Sequence, residues 1–513
     1  MKLYSYLAAL VLLVIAEGTG AWLKRSLGVD RSGFHAPTGF AFLFAVCQLF
    51  YYPAEILNLP MKFVAWVTGI VLIISILFVL YDLEDIAHSL FRRESLIILV
   101  IAAIFIGLNH DVTIMGNPIE PGFLLLTVSE IQAPQFQGYY YFTMVISWFL
   151  EHLHLLIPMV PAISSSAVRI CGFGLLYAIV SSMVIVDIVR SFKLHNHWFE
   201  FALGIYLLLN GNYTAWMKGS SWIGLSWSIL FVCLSVFNCY LYLKEENEQR
   251  KYLLIAFFGA GLACDNSFGL SGLAILYGLL VYLFSIRKIR CLFDVSTFLI
   301  PHMLYIAAVA MRYWAPLSLL LFVFYFWFSF RRYKRPIRRW IARSEEFCFD
   351  HWRELFLIGV PVVLAIGSIA VFFLRRGTGL SSYAYYFSDF HEIDGMQDYI
   401  FIHSDFLHTI INLFRWGGLI CLIALAKDKA NCFVRMLMIV LLVVFLNPLT
   451  TPAISFMTGP MFYHTFHVLF NPFTEAIMFL YFYRMSQWTV IGQWILEIAL
   501  CVGAFIGIMG LLR

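Results

Sequence analysis

Three stretches of this chain hold the residues whose types and spacing could do chemistry. Asp111, next to His110, sits just past an apolar run. A carboxylate there could accept the proton of a sugar hydroxyl during group transfer; the plainer reading is a solvated helix-end carboxylate. Arg375-Arg376 offers paired guanidiniums, which suit phosphate oxygens through forked contacts. Snorkelling to phospholipid headgroups would explain the same pair. Further on, Tyr463-His464-Thr465-Phe466-His467 places His464 and His467 three apart, on one face of a helix. Two imidazoles on that face could bind phosphate or a sugar hydroxyl, or form a hydrogen-bonded core pair.

Weaker signals surround these. Glu151, His152 and His154 fall in an apolar stretch, 139–160, where ionisable residues are a functional hypothesis by default. His152 and His154 are two apart, so one helix would not aim both at one metal ion. Contact with an acceptor or packing in a polar cavity fits them better. Asp389, His391, Glu392, Asp394 and Asp398 supply enough oxygens for a divalent cation, without the spacing of a calcium loop. A solvated acidic loop would read the same way, and no other cofactor is implied. Asp265-Asn266 interrupts an apolar run; a helix end explains it, and it could also line a cavity. Asn447-Pro448, Pro452 and Asn471-Pro472 break helices at or near membrane depth, where the freed carbonyls need partners. Glu17, Glu55, Asp187, Arg415, Glu475 and Glu497 sit within or near the ends of apolar runs, which leaves transport open.

The elements that must position these residues are membrane helices. The chain is 62% hydrophobic and 12% charged, far from the roughly 25% charged residues of a soluble domain. Apolar segments near 3–23, 38–58, 61–82, 95–109, 167–189, 198–213, 221–243, 252–266, 268–285, 295–311, 314–330, 355–374, 406–426, 436–456, 461–483 and 489–511 predict an all-α polytopic transmembrane bundle of about sixteen spans. The first segment has Lys24-Arg25 behind it and no small-residue cleavage site, so it reads as a retained helix rather than a signal peptide. The net charge is +4, but the basic residues lie in short loops, as the positive-inside rule requires. That pattern is no nucleic-acid footprint. The ten cysteines are scattered, mostly in apolar runs, and read as small buried hydrophobes.

Basic clusters at 24–25, 92–93, 190–193, 244–251, 287–290, 331–343 and 427–435 all fall on one side if 139–160 is re-entrant or interfacial rather than a span. Two long segments then lie outside, 110–166 and 375–405. The elbow at 331–343 reads as an amphipathic helix on anionic lipid, with partner docking as a minority reading.

The order of these features carries a resemblance. Asp111 just past a helix is followed by a Gly/Pro/Tyr-rich segment ending in Ile157-Pro158 and Ser166, and later by Asn447-Pro448 and Tyr463-His464. This resembles a poorly characterised family of Gram-positive multi-spanning proteins that is similar to the GT-C fold glycosyltransferases. The resemblance implies a lipid-phosphate-linked sugar donor, a glycan acceptor and transfer on the outer face of the bacterial cytoplasmic membrane. It implies Asp111 as base, 110–166 as the first outer loop, 1–94 as a three-helix prefix and 95–513 as the GT-C-like domain. Where relatives carry paired aspartates then tyrosine, this chain has His110-Asp111-Val112; where they carry Tyr-Trp-Arg, it has Tyr463-His464. The expected function is sugar transfer from a polyprenyl phosphate to a cell-envelope glycan, with Arg375, Arg376 and His464 on the phosphate. A glycan polymerase or ligase, a lipid or solute transporter, and a non-catalytic membrane partner subunit are the alternatives.

Overall fold

The computed structural model describes residues 2–29, 33–56, 59, 61–108, 142–143, 145–146, 148–150, 168–209, 223–265, 268–288, 291–310, 335–374, 406–458, 464–486 and 490–512. Among these every regular element is helical. Seven helices are long and apolar enough to cross a membrane, and four more apolar helices are shorter. This is a helical membrane protein. Each apolar segment read from the sequence contains a described helix except 314–330, which lies outside the described residues. The chain divides into two compact units.

The first unit comprises Met1–Leu234, Asn247–Asn266 and Glu497–Arg513. It holds α1 (Lys2–Ser26), α2 (Ala36–Ile56), α3 (Met61–Tyr81), the short amphipathic α4 (Leu83–Leu90), α5 (Ser95–Leu108), α6 (Gly174–Ser191), α7 (His197–Leu209), the first half of α8 (Ile223–Glu245) and α9 (Leu253–Cys264). Its core is aromatic. Trp227 is fully buried, with its ring centroid 5.4–5.5 Å from those of Phe40, Phe44 and Tyr177. In lipid there is no hydrophobic drive between helices, so small residues that admit close backbones carry the packing. Ala16 and Gly20 of α1 face Gly39 of α2: a Cβ on Gly39 would stand 1.7 Å from the Ala16 carbonyl oxygen. One on Gly20 would stand 2.0 Å from that of His35. Gly259 of α9 admits Ala45 of α2 in the same way.

Basic residues collect at one end of this unit. Arg25 pairs with Asp82 and Asp85. Arg190 pairs with Glu94 at 3.2 Å. The Arg92 guanidinium lies over the Phe34 ring. Asn247 donates to the Gly28 carbonyl at 3.1 Å. α5 starts at this end and α6 finishes at it. Phe105, late in α5, packs against Gly174 at the start of α6. The connection 109–167 therefore leaves from, and returns to, the opposite end. Within it, Phe142 is buried edge-on to Phe44 and Phe173, and Phe149 packs on Gly69 of α3.

The second unit comprises Ser235–Glu246 and Ser267–Leu496. It holds α10 (Phe268–Ser285), α11 (Cys291–Ala310), α12 (Arg335–Trp352), α13 (Val360–Leu374), α14 (Phe406–Leu425), α15 (Lys429–Val440), α16 (Thr451–Thr458), the one-turn α17 (Phe466–Leu469), α18 (Pro472–Ser486) and the start of α19 (Val490–Leu512). α12 is the amphipathic elbow. Non-helical backbone at His351 (φ −119°) separates it from the apolar run that continues through α13. Here too the basic clusters share one end: Lys429 pairs with Glu246, Lys288 donates to the Tyr242 hydroxyl, and Arg287 pairs with Asp350 at 2.7 Å. α13 runs away from that end and α14 runs back to it, so the segment 375–405 starts and finishes at the other.

One expected span, 436–456, is not a single helix. The helix ends at Phe445, turns through Asn447-Pro448 and restarts at Thr451. Pro448 and Pro452 lack the N–H groups that would continue the ladder. Side chains satisfy the carbonyls this frees: the Thr450 hydroxyl donates to Val444 O at 2.6 Å, Thr451 to Asn447 O at 2.7 Å, and Asn447 Nδ2 to Val443 O at 3.2 Å. Ser368 of α13 accepts from Ala453 N at 3.1 Å and fixes α16 beside it.

Candidate functional site

Most of the residues singled out in the sequence lie outside the described residues. These are His110, Asp111, Glu151, His152, His154, Asn266, Arg375, Arg376, Asp389, His391, Glu392, Asp394, Asp398 and Tyr463. Asp265, His464 and His467 are described. Asp265 closes α9: its backbone is extended and its N–H donates to Gly261 O at 3.0 Å. The helix-end explanation therefore accounts for its position.

His464 and His467 do come together. Their ring centroids are 5.5 Å apart at the turn that leads into α18. That turn sits at the start of α10, where Ser271 Oγ donates to the His464 carbonyl at 3.2 Å. His302 of α11 lies at the same level, its Nε2 2.7 Å from Gly269 O. Gly272 makes room for this ring, since a Cβ there would meet His302 at 2.6 Å. All three histidines are thus at the end of the second unit opposite its basic clusters. Among the described residues no group of three or more His, Cys, Asp or Glu side chains is placed to hold a metal ion.

The turn is held by a capping box. Asn471 Oδ1 accepts from the N–H groups of Phe473 and Thr474, both at 3.1 Å, and Thr474 Oγ1 accepts from Asn471 N at 3.0 Å. Each side chain satisfies a donor that the first helical turn leaves orphaned. Pro472 occupies the first helical position, where its missing N–H costs nothing. Asn471 Nδ2 also donates back to His467 O and Val468 O at 3.1 Å, which locks the histidine turn to the helix start.

One turn into α18 is Glu475, fully buried, and it meets Arg415 of α14. Arg415 Nε lies 3.3 Å from Glu475 Oε1, and Arg415 Nη1 donates to Asn412 Oδ1 at 2.9 Å. An acid in the first turn also suits the positive end of the helix dipole. The two helices touch backbone to backbone just below: a Cβ on Gly418 would stand 2.5 Å from Met478 O. Trp416 packs edge-on to Phe470 and ties the pair to the histidine turn. Asn412 and Arg415, three residues apart on α14, are buried, while Leu413 and Ile420 of the same helix are exposed. The charges of Arg415 and Glu475 stand out in the sequence as single ionisable residues in apolar runs, the signal that marks intramembrane sites. Their pairing is tertiary and has no sequence signature.

In the first unit a second set of buried charges behaves differently. Glu17, within α1, accepts from the N–H groups of His35 and Ala36 at 2.9 and 2.6 Å, at the start of α2. Lys24 Nζ donates to Phe34 O at 2.8 Å, and Asp187 Oδ2 accepts from Phe34 N at 2.9 Å. Three charges from two helices thus hold four of the backbone groups of residues 34–36. No protein family, curated protein or solved structure matches this chain. The reading of function therefore rests on residues and geometry.

Proposed function

We propose that the protein is a GT-C-like membrane glycosyltransferase of about sixteen spans that moves a sugar from a polyprenyl-phosphate donor to a cell-envelope glycan on the outer face of a bacterial cytoplasmic membrane. One observation carries the reading. In each unit the basic clusters lie at one end, and the segments richest in polar and aromatic residues, 110–166 and 375–405, join helix ends at the other. By the positive-inside rule the basic ends are cytoplasmic, which gives both segments an outer location. A re-entrant 139–160 agrees with this, since its flanking helices α5 and α6 meet at that outer end. In this reading Asp111 takes the acceptor proton. Arg375, Arg376 and the His464–His467 turn hold the phosphate and stabilise the charge of the leaving group.

The test replaces Asp111 with Asn and, separately, Arg375 and Arg376 with Ala, followed by envelope glycan composition in cells. Altered glycans with normal protein levels are expected from both. Normal glycans in a well-expressed Asp111→Asn strain would remove the base. A second reading, transport, is favoured by the buried Arg415–Glu475 pair, because transporters keep charges at membrane depth. Uptake or flipping by purified protein in vesicles, without a sugar donor, would select it.

A further inference from the structure

The elbow α12 takes no part in the sugar-transfer reading, and its charge is divided along its length. Seven Lys and Arg and no acid fall between Arg331 and Arg343; Glu345, Glu346 and Asp350 follow directly. The acidic half fastens the helix to the protein. Glu345 is buried and accepts from Leu292 N at 2.9 Å, at the start of α11. Asp350 pairs with Arg287, just beyond α10. Phe349 packs edge-on to Phe284 of α10, with 5.8 Å between centroids. Past the kink, Phe356 stacks on the same Phe284 ring at 5.2 Å, and its carbonyl accepts from the Tyr277 hydroxyl at 2.7 Å.

Another line of α12 is turned outward. Arg343 and Phe347, one turn apart, are both exposed, Phe347 by 57%. Positions 339 and 335, one and two turns before Arg343 on the same helix, are also arginine. What this line meets is set by depth. Beyond the kink at His351 the chain becomes an apolar span, and Ile358, Val363, Ile366 and Ile369 are each more than half exposed, as lipid-facing residues are. At the boundary the Arg353 guanidinium lies over the Trp352 ring, an aromatic and a cation where headgroups begin. This mounts α12 at headgroup level, at the basic end of its unit. By the positive-inside rule that is the cytoplasmic leaflet, whose surface carries anionic lipid.

We propose that the line Arg335–Arg339–Arg343, closed by Phe347, docks on the anionic phospholipid headgroups of that leaflet, with the acidic half of α12 as its mount. Guanidiniums suit lipid phosphate through forked contacts. An exposed aromatic beside a basic line is how an interfacial helix enters the headgroup layer. The proposal needs the helix and a bilayer, and it does not depend on the sugar donor.

Full-length protein in neutral detergent is titrated with phosphatidylglycerol and, separately, with phosphatidylcholine, and bound lipid is counted by native mass spectrometry. Wild type should prefer phosphatidylglycerol. Arg343→Gln, at an exposed position, should weaken phosphatidylglycerol binding roughly fivefold, the worth of one basic residue near an anionic surface. Arg335→Gln/Arg339→Gln/Arg343→Gln, checked for folding by gel filtration, should weaken it further and leave phosphatidylcholine binding unchanged. The triple Arg→Lys variant keeps the charge and should retain most of the preference. A wild type with no preference, or an equal loss for both lipids, overturns headgroup recognition. Phosphatidylglycerol binding unchanged in both Gln variants overturns it too, and turns the line over to an acidic protein partner.

Discussion

Two clusters of buried charge, one in each unit, solve different problems. At the start of α2, Glu17, Lys24 and Asp187 serve backbone: they hold N–H and C=O groups of residues 34–36 that no helix ladder reaches. At the α14–α18 contact, Arg415 pairs with Glu475 and donates to Asn412. Irregular backbone in a membrane protein must be satisfied from within, so the first cluster is required by the fold. The second joins side chains of two helices, α14 and α18. Side-chain burial alone would not separate the two, since Glu17 and Glu475 are both fully buried. Their described partners differ: backbone N–H groups for Glu17 and a guanidinium for Glu475.

Substitution should expose that difference. The largest effect is expected from Glu17→Ala. It strands two buried N–H groups at a helix start, each worth about 1–3 kcal/mol when unsatisfied, so a loss of about 3–5 kcal/mol should follow. The two stranded groups are backbone N–H groups, so no second side-chain substitution removes them. Unfolding by SDS titration in mixed micelles would measure it, and a loss below about 1 kcal/mol would break the assignment. Arg415→Gln should cost about 3 kcal/mol by leaving Glu475 charged and buried. In contrast with Glu17, adding Glu475→Gln should restore most of that loss. A double variant as unstable as the single one would put both clusters in the same structural class.

The contrast was only partly legible in the sequence. Glu17, Asp187, Arg415 and Glu475 are all visible as charges in apolar runs. Whether such a charge meets backbone or another side chain depends on contacts between helices far apart in the chain, and periodicity carries no record of them. The membrane class followed from composition. The shared end of the basic clusters within each unit followed from the charge rule. The prolines at 448, 452 and 472 correctly announced breaks, but the sequence reading carried the span 436–456 straight through the first two. What it could not foresee was how locally the breaks are repaired, by Thr450, Thr451 and Asn471. His464 and His467, three apart in the sequence, have ring centroids 5.5 Å apart. The reading set Arg415 aside with other scattered charges, because its partner lies on a separate helix.

A middle-sized effect tests the histidine turn. Asn471→Ala removes a cap worth about 1–2 kcal/mol and also the bonds to His467 O and Val468 O. The variant should be about 2 kcal/mol less stable and still folded. If the turn contributes to phosphate binding, farnesyl phosphate affinity should fall in this variant although no ligand-facing charge has changed. Unchanged affinity would separate the turn from phosphate binding.

The smallest effect lies in the solvent. Glu246 pairs with Lys429 at the basic end of the second unit, and both side chains are more than half exposed. The hydrogen bond from Lys429, helped by its charge, holds the Glu246 carboxyl below its ordinary range. The sign follows: an acid with a lowered folded-state pKa adds stability above its unfolded value and loses it as pH falls through the folded one. Melting midpoints of wild type and Glu246→Gln should therefore differ slightly at neutral pH and converge in acid, and added salt should shrink the gap at neutral pH because the pair is screened. A gap as large as that of Arg415→Gln would mean that exposure is no guide to the worth of a charge in this protein, and the comparison between its two buried clusters would lose its baseline.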